Sequence, residues 1–554
     1  MDKNLKESNG SLDLNQIPKA LEFTTFLVSV LICIIGAIIG MQLITTVGVT
    51  ANTSIIGVMF AVMVGFIPIK IFKKFRDIHV QNLVQTSISS ATFAAGNVMM
   101  LALGIAWLSG DTSLLIPMFI GATIGVFVDV IMMYWMFDTP TFPAKGTWPV
   151  GVASSEALLS VKEGGKRVLM LLGASGIGAI GQHFRLPMDI AGVCLIGNKV
   201  ALTMFGTGLI IRAYSPQVLG IDINAMFIPH GLMIGAGVVS IAQLIHALVK
   251  AGKKRQQAAE DRKAESMAAT EQDTSESPTT RTAVDARKAL LRGAILFTIG
   301  AVLVALISGI YAQMGIAMLV IWVLYASITS IIGELIVGTA AMHSGWFPAF
   351  AVTLIFLVIG MFIGFPITAL VVLLGYQVCI GPAFADMGYD LKAGWIVRGK
   401  NKNSTFELAG RREQFKSNMI GITVGIVVVF FGYQAYFLQD LFPPVARVFV
   451  ATIEAGANPE IMRNLVMWAF VGAAVQAIGG TKRQMGVMLA TGLLIFNQFG
   501  GFVAISVIII RTILEKKYGE KINNTIYATA AGFIVGSSMY GFITNSIAAF
   551  GRRN

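Results

Sequence analysis

Charge is what this sequence has least of. Only 13% of its 554 residues are Asp, Glu, Lys or Arg, about half the roughly 25% of an ordinary soluble domain. So little charge on so long a chain excludes general disorder and argues against a soluble enzyme. Cysteine is scarce as well. Cys33, Cys194 and Cys379 stand far apart in apolar runs, with no metal-ligand spacing among them, and read as packing residues. Five scattered histidines leave no dedicated protein metal site to expect, and no cofactor. A Walker loop, an HExxH and a GxSxG with fitting partners are all missing, which argues against an ATP-driven pump and the familiar hydrolases. Residues 1–20 are polar and lack the apolar core of a signal peptide, so insertion is expected to use the first membrane helix.

Apolar residues and glycine are abundant: 55% of the chain is hydrophobic and 59 residues are Gly. Long apolar runs separated by short charged stretches are the pattern of an all-α polytopic membrane protein. The net charge of +12 is then read as Lys and Arg enrichment of cytoplasmic loops rather than as a nucleic-acid surface. Runs near the 20 or so residues a spanning helix needs occur at 22–48, 54–72, 82–108, 113–137, 168–184, 191–212 and 224–250, with a shorter one at 148–161. The second half offers 289–312, 316–342, 346–364, 366–388, 417–438, 463–480, 484–512 and 524–548, with a marginal one at 443–457. The expectation is about sixteen transmembrane helices, some of them re-entrant.

The organisation expected is a cytoplasmic tail at 1–21, a membrane half at 22–250, a linker at 251–288 and a second membrane half at 289–550. The linker is almost entirely charged, small or hydroxylated, cannot bury enough apolar surface to order itself, and is expected to be disordered. Its basic ends, with Lys70–Arg76, Lys162–Arg167, Lys392–Lys416 and Arg511–Lys521, mark the cytoplasmic side. Strict alternation of sides fails around 191–212 and 484–512. The halves look related. Ala191, Leu195, Asn198 and Arg212 recur 299 positions later as Ala490, Leu494, Asn497 and Arg511, and Gly231 and Gly235 recur as Gly532 and Gly536. An ordered, near-constant offset that includes Asn and Arg points to an internal duplication, as is usual in secondary transporters.

Ionisable groups within apolar helices are costly and therefore candidates for function. They are Asp129, Glu156, Lys199, His230, Glu334, His343 and Asp386. Glu156, Glu334 and Asp129 are the expected proton carriers. Amides and phenols are scattered over many runs: Asn97, Gln182, Asn198, Tyr376, Gln377, Tyr433, Gln434, Asn497 and Gln498. They could bind a polar solute or merely bond helix to helix. The run from Gly146 to Gly151 carries Pro149 and is expected to start or break a helix.

Three segments resemble the oligopeptide transporter family, which includes the yellow stripe-like metal-chelate transporters. The run Asn82-Leu-Val-Gln85-Thr86-Ser-Ile-Ser89-Ser90-Ala91 resembles the family's early N-x-x-Q-T-x-x-S-A-G helix. The run from Trp148 and Pro149 to Leu158 resembles its Y-P-x-G-x-A-x-A-E-x-L segment. Asp390-Leu-Lys-Ala-Gly394 resembles its D-L-K-T-G cytoplasmic loop. Departures are Ser90 and Ala91, where the family usually has Ala-Gly, Trp148 and Ser155, and the stretch 338–348, where the family is often rich in Ser, Asn and Pro. The resemblance, to a prokaryotic-type member, implies two related halves and proton-coupled symport of small peptides or metal chelates across the cell membrane. Gln85, Thr86, Ser89, Pro149, Gly151 and Glu156 carry over by motif. Ser90, Asn97, Asn198, Tyr376, Asn497 and Gln498 join them as expected substrate contacts. Partners expected are the solute, protons and the lipid bilayer; nucleic acid is not, and a homodimer is left open. The competing readings are a transporter of another small polar solute or ion, and a membrane scaffold without transport.

Overall fold

The computed structural model describes residues 17–48, 53–67, 69–159, 164–243, 246, 279–344 and 349–551. Among them are twenty helices and no strand. In the first half these are α1 (Phe23–Thr46), α2 (Thr53–Phe66), α3 (Ile78–Leu108), α4 (Leu115–Met136), α5 (Pro149–Leu159), α6 (Gly164–His183), α7 (Met188–Ile196), α8 (Lys199–Val218) and α9 (Ile228–Gln243). Then come α10 (Ala283–Ile307), α11 (Ile316–Ser344), α12 (Ala349–Ile363), α13 (Ile367–Gln377), α14 (Pro382–Val397) and α15 (Ser404–Phe437). The chain ends with α16 (Pro444–Ala457), α17 (Pro459–Arg483), α18 (Met485–Leu494), α19 (Gly500–Tyr518) and α20 (Asn523–Gly551). Nine described helical stretches are long and apolar enough to cross a membrane. The protein is a multi-pass membrane protein.

Five sequence readings are corrected. The runs 191–212, 366–388 and 484–512 are not single helices. The first breaks at Gly197–Asn198, the second over 378–381, and the third between Leu494 and Gly500. The cause is local chemistry: Asn198 caps α8, accepting from the amides of Val200 and Ala201, and Asn497 forms the turn that leads into α19, accepting from those of Phe499 and Gly500. The run 390–394 is no loop; it lies in the buried stretch of α14. The linker is shorter than expected at its far end. Helix α10 begins at Ala283, where Thr282 and Asp285 form a capping box. Residues 1–16, 251–278 and 345–348 of the tail, linker and 338–348 readings lie outside the described residues.

Glycine sets the packing. Helix α3 is gripped from two sides: a Cβ on Gly40 of α1 would come 2.1 Å from Thr92 O, and one on Gly421 of α15 would come 2.1 Å from Ser87 O. Helices far apart in the sequence pack on each other in the same way. On α20, a Cβ at Gly532 would lie 2.5 Å from Leu171 O, and one at Gly536 1.9 Å from Ser175 O, both in α6. On α9, Gly231 and Gly235 meet Leu465 O and Ala469 O of α17 in the same manner, at 2.6 and 1.8 Å. Backbones approach this closely only where no side chain intervenes. Inside α3, residues Ala94–Met100 form a π-helical segment, a feature frequent at functional sites.

Candidate functional site

Two acids meet where α13 gives way to α14. The chain turns at Gly381, whose φ of +84° suits glycine, and α14 starts at Pro382. Its amino-terminal end offers unpaired backbone donors and a partial positive charge. Glu334 of α11 reaches this end from one side, its Oε1 accepting from Gly381 N at 3.3 Å. Asp129 of α4 reaches it from another side and faces Glu334. Helix α4 comes close enough because residue 125 is Gly; a Cβ there would sit 2.1 Å from Cys379 Sγ. Both carboxyls are wholly buried. Neither Asp129 oxygen, nor Glu334 Oε2, has a donor from another residue.

A second pair stands one and two turns further along α14. Asp386 Oδ1 accepts from Ser89 Oγ at 3.0 Å, and Asp390 Oδ1 accepts from Gln85 Nε2 at 2.7 Å. Ser89 and Gln85 are four apart on α3 and the two acids four apart on α14, so the helices match turn for turn. Asp390 Oδ2 is buried and has no partner. Among the described residues, none of these four acids is ion-paired with a Lys, Arg or His.

From Gln85 the polar groups continue to the basic end of the molecule. Asn82 Nδ2 donates to Gln85 Oε1 at 3.4 Å. Gln414 of α15 donates to Thr86 Oγ1 at 2.9 Å and to the carbonyl of Asp390. Asn418 donates to Ser90 Oγ. Arg398 donates from Nη1 to Gln414 at 3.0 Å and from Nε to Glu407 at 2.7 Å. Arg411 donates to the other Glu407 oxygen at 3.1 Å and lies 3.5 Å from Asp138. Glu407, Arg411, Gln414 and Asn418 form one stripe on α15, at steps of four, three and four residues. A small surface cleft, lined in part by His79, Asn82, Arg398 and Glu413, opens where the network ends.

The stretch just before α10 is fastened here. Thr280 donates to Asp138 Oδ2 from its amide at 3.0 Å and its hydroxyl at 2.7 Å. Arg281 donates to the carbonyl of Tyr134 and covers its ring. Burial alone would raise the Asp138 carboxyl, but hydrogen bonds from Asn401 and Thr280, with Arg411 beside it, hold it below the usual carboxylate range. Because the folded value is depressed, the clamp's contribution is complete at neutral pH and fades as pH falls through that value. Asp138→Asn removes the charge and weakens the donors' hold, at a cost of about 1.5–3 kcal/mol. Trypsin is therefore expected to cut after Arg281 roughly 10–100 times faster in this variant. Equal cleavage rates would show that the clamp does not hold the linker.

The structure places the expected site residues in three groups. Gln85, Thr86, Ser89, Ser90, Asp129 and Glu334 belong to the buried polar column just described. Gly151 is also buried: a Cβ there would lie 2.4 Å from Tyr389 O, so it seats α5 on α14. Others are elsewhere. Asn198 caps α8, Asn497 forms the turn into α19, and Tyr376 donates from its hydroxyl to Phe297 O at 2.7 Å. Asn97 is half-buried in the π segment, and Pro149, Glu156 and Gln498 are exposed. The column's other members, Asp390, Glu407, Arg411, Gln414 and Asn418, were read as cytoplasmic loop or not singled out. Their signal was the four-residue spacing of Asp386 and Asp390 and the stripe on α15. A further buried acid, Asp189, accepts from Gln42 and Thr46 of α1.

Comparison with known families decides the class. A family description for OPT oligopeptide transporter proteins matches residues 219–548, more than half of the chain. The chain belongs to the OPT oligopeptide transporter family. It is a transporter and not an enzyme. The OPT match takes in Glu334, Asp386, Asp390 and the α15 stripe, together with the Asp390–Gly394 run. The Asn82 and Trp148 runs that also resemble OPT members precede it. No curated protein matches the chain.

Proposed function

We propose that this OPT transporter couples uptake of a small peptide or metal chelate to protons entering down their gradient, with Asp129 and Glu334 as the proton-binding pair. The supporting observation is their arrangement at the α13–α14 break. An ionised carboxylate has no proton to donate. Two acids that face each other without a cation are mutually attractive only when a proton lies between them. Such a pair gains and loses a proton as its surroundings open to one side or the other, and this is what coupling requires. Glu156 is exposed on α5, away from this pair, and is not given that role. Ser89 and Gln85 are assigned to orienting the second acid pair.

The two halves are proposed to be repeats, with α1–α9 corresponding to α11–α20 and α10 as an additional helix. The support is the reciprocal glycine contacts of α6 with α20 and of α17 with α9, and the matching asparagine turns at Asn198 and Asn497. In this scheme α3, with its π segment, corresponds to the broken pair α13–α14. Irregular backbone at corresponding places in two repeats is where transporters bind solute and ion. The basic end is assigned to the cytoplasm.

The test is uptake into proteoliposomes under an imposed inward proton gradient. A mixed library of small peptides and of iron, nickel and copper chelates is offered and read by mass spectrometry. Gradient-dependent accumulation of one class supports the proposal and names the solute. Uptake that ignores the gradient would refute proton coupling.

A further inference from the structure

We propose that Asp386 and Asp390 form a second proton-holding station, which passes protons between the Asp129–Glu334 pair and the cleft at the basic end. This rests on the proton-coupled reading above and assigns it a path.

The geometry is that of a column. Gly381, Asp386 and Asp390 follow one another along the start of α14. At 1.5 Å per residue, the second station begins about 7.5 Å from Gly381 and ends about 13.5 Å from it. The first interval is about the length of a chain of one or two waters, and the two aspartates are helical neighbours. Each aspartate has one oxygen held by α3, through Ser89 or Gln85. That hold fixes the carboxyl plane. On Asp390 it leaves Oδ2 buried and without a partner, free to take a proton. Beyond Asp390, Gln85 and Asn82 lead to the cleft that Asn82 and Arg398 line.

Charge elsewhere in the column is already committed. Lys392, on the same helix, donates to the carbonyls of Ala144 and Gly146 at 2.7 and 2.9 Å and lies over Trp395. Arg398 and Arg411 are held by Glu407. From α3 the aspartates meet Ser89 and Gln85, and from α15 Gln414 contacts the Asp390 carbonyl. The Tyr389 hydroxyl is a buried titratable neighbour without a partner. Among the described residues no cation is ion-paired with the aspartates, so a proton is the charge they are built to accept. Between the two stations one O–H bond breaks on the acid giving the proton and one forms on the receiving carboxylate; at the cleft end the Asp390 O–H bond breaks and one forms on solvent water. The pair of charges exchanges places, and nothing else is consumed.

The test needs no solute. Time-resolved infrared difference spectra of the purified full-length transporter are recorded after a jump from neutral to alkaline pH, reading the carbonyl stretch of protonated carboxylic acids. Bands are assigned with Glu334→Gln and Asp390→Asn. Wild type is expected to show both, and Asp390→Asn to keep the Glu334 band while slowing its loss about a hundredfold. Asp386→Asn is expected to slow it likewise, and Asp390→Glu to restore the wild-type rate. An unchanged rate in both Asn variants, with the Glu334 band intact, overturns the path while leaving the proton pair standing. A wild-type spectrum without the Glu334 band refutes the proton pair itself and the path with it. If one Asn variant fails to fold, the other decides.

Discussion

Replacing Glu407 by Ala is expected to destabilise the transporter by about 3–5 kcal/mol, the usual cost of stranding a buried charge. The residue is wholly buried and holds two guanidinium groups, Arg398 and Arg411, at 2.7 and 3.1 Å. Without it the two cations face each other, with Asp138 at 3.5 Å from Arg411 as the remaining acid. Arg398 would also loosen its hold on Gln414, which bridges Thr86 and the Asp390 carbonyl. The effect is read as a fall in the thermal unfolding midpoint in detergent. Glu407→Gln keeps the size and part of the hydrogen bonding and should fall between the two. A variant as stable as wild type would show that water reaches this network and solvates the arginines.

Glu334→Gln is the second large effect. Glutamine fits the site and can still accept from Gly381 N, but it cannot take up a proton. Accumulation driven by a proton gradient is expected to fall about a hundredfold, the scale on which a positioned acid acts. Solute exchange between equal concentrations, which needs no net proton movement, should persist. Asp129→Asn should behave alike if, as proposed, the pair shares one proton. Both are measured in proteoliposomes as accumulation against counterflow, using whichever library member the wild type accumulates. Loss of exchange together with accumulation would make Glu334 a solute contact rather than a proton carrier.

Helical character and approximate helix positions were legible in the sequence because apolar runs and caps are local signals. The two places where alternation of sides failed, 191–212 and 484–512, are both broken helices, each with an asparagine in the turn before the restart. An Asn inside an apolar run looks the same whether it lines a path or caps a helix. Hydropathy therefore put Asn198 and Asn497 among solute contacts. The α15 stripe was hidden for a different reason. Arg398, Glu407 and Arg411 fall in a charged stretch that reads as a solvated loop, and only tertiary pairing buries them. Asp129 and Glu334 were found because a lone acid in an apolar run is anomalous wherever it packs. That they meet each other, 205 positions apart in sequence, is a property of the fold alone.

The packing of α6 on α20 has a consequence for how the protein is made. Helix α6 leaves the ribosome with its glycine-matched face bare. Its partner α20 starts roughly 340 residues later, about 17–70 s at ordinary synthesis rates. Through that interval α6 is stabilised by lipid and by its sequence neighbours, and its contacts with α20 form only after residue 523 has been made. Premature termination even thirty residues from the end would remove α20 and leave an early helix without its mate. A cell's quality control would thus meet the damage of a late nonsense codon in the first half of the protein.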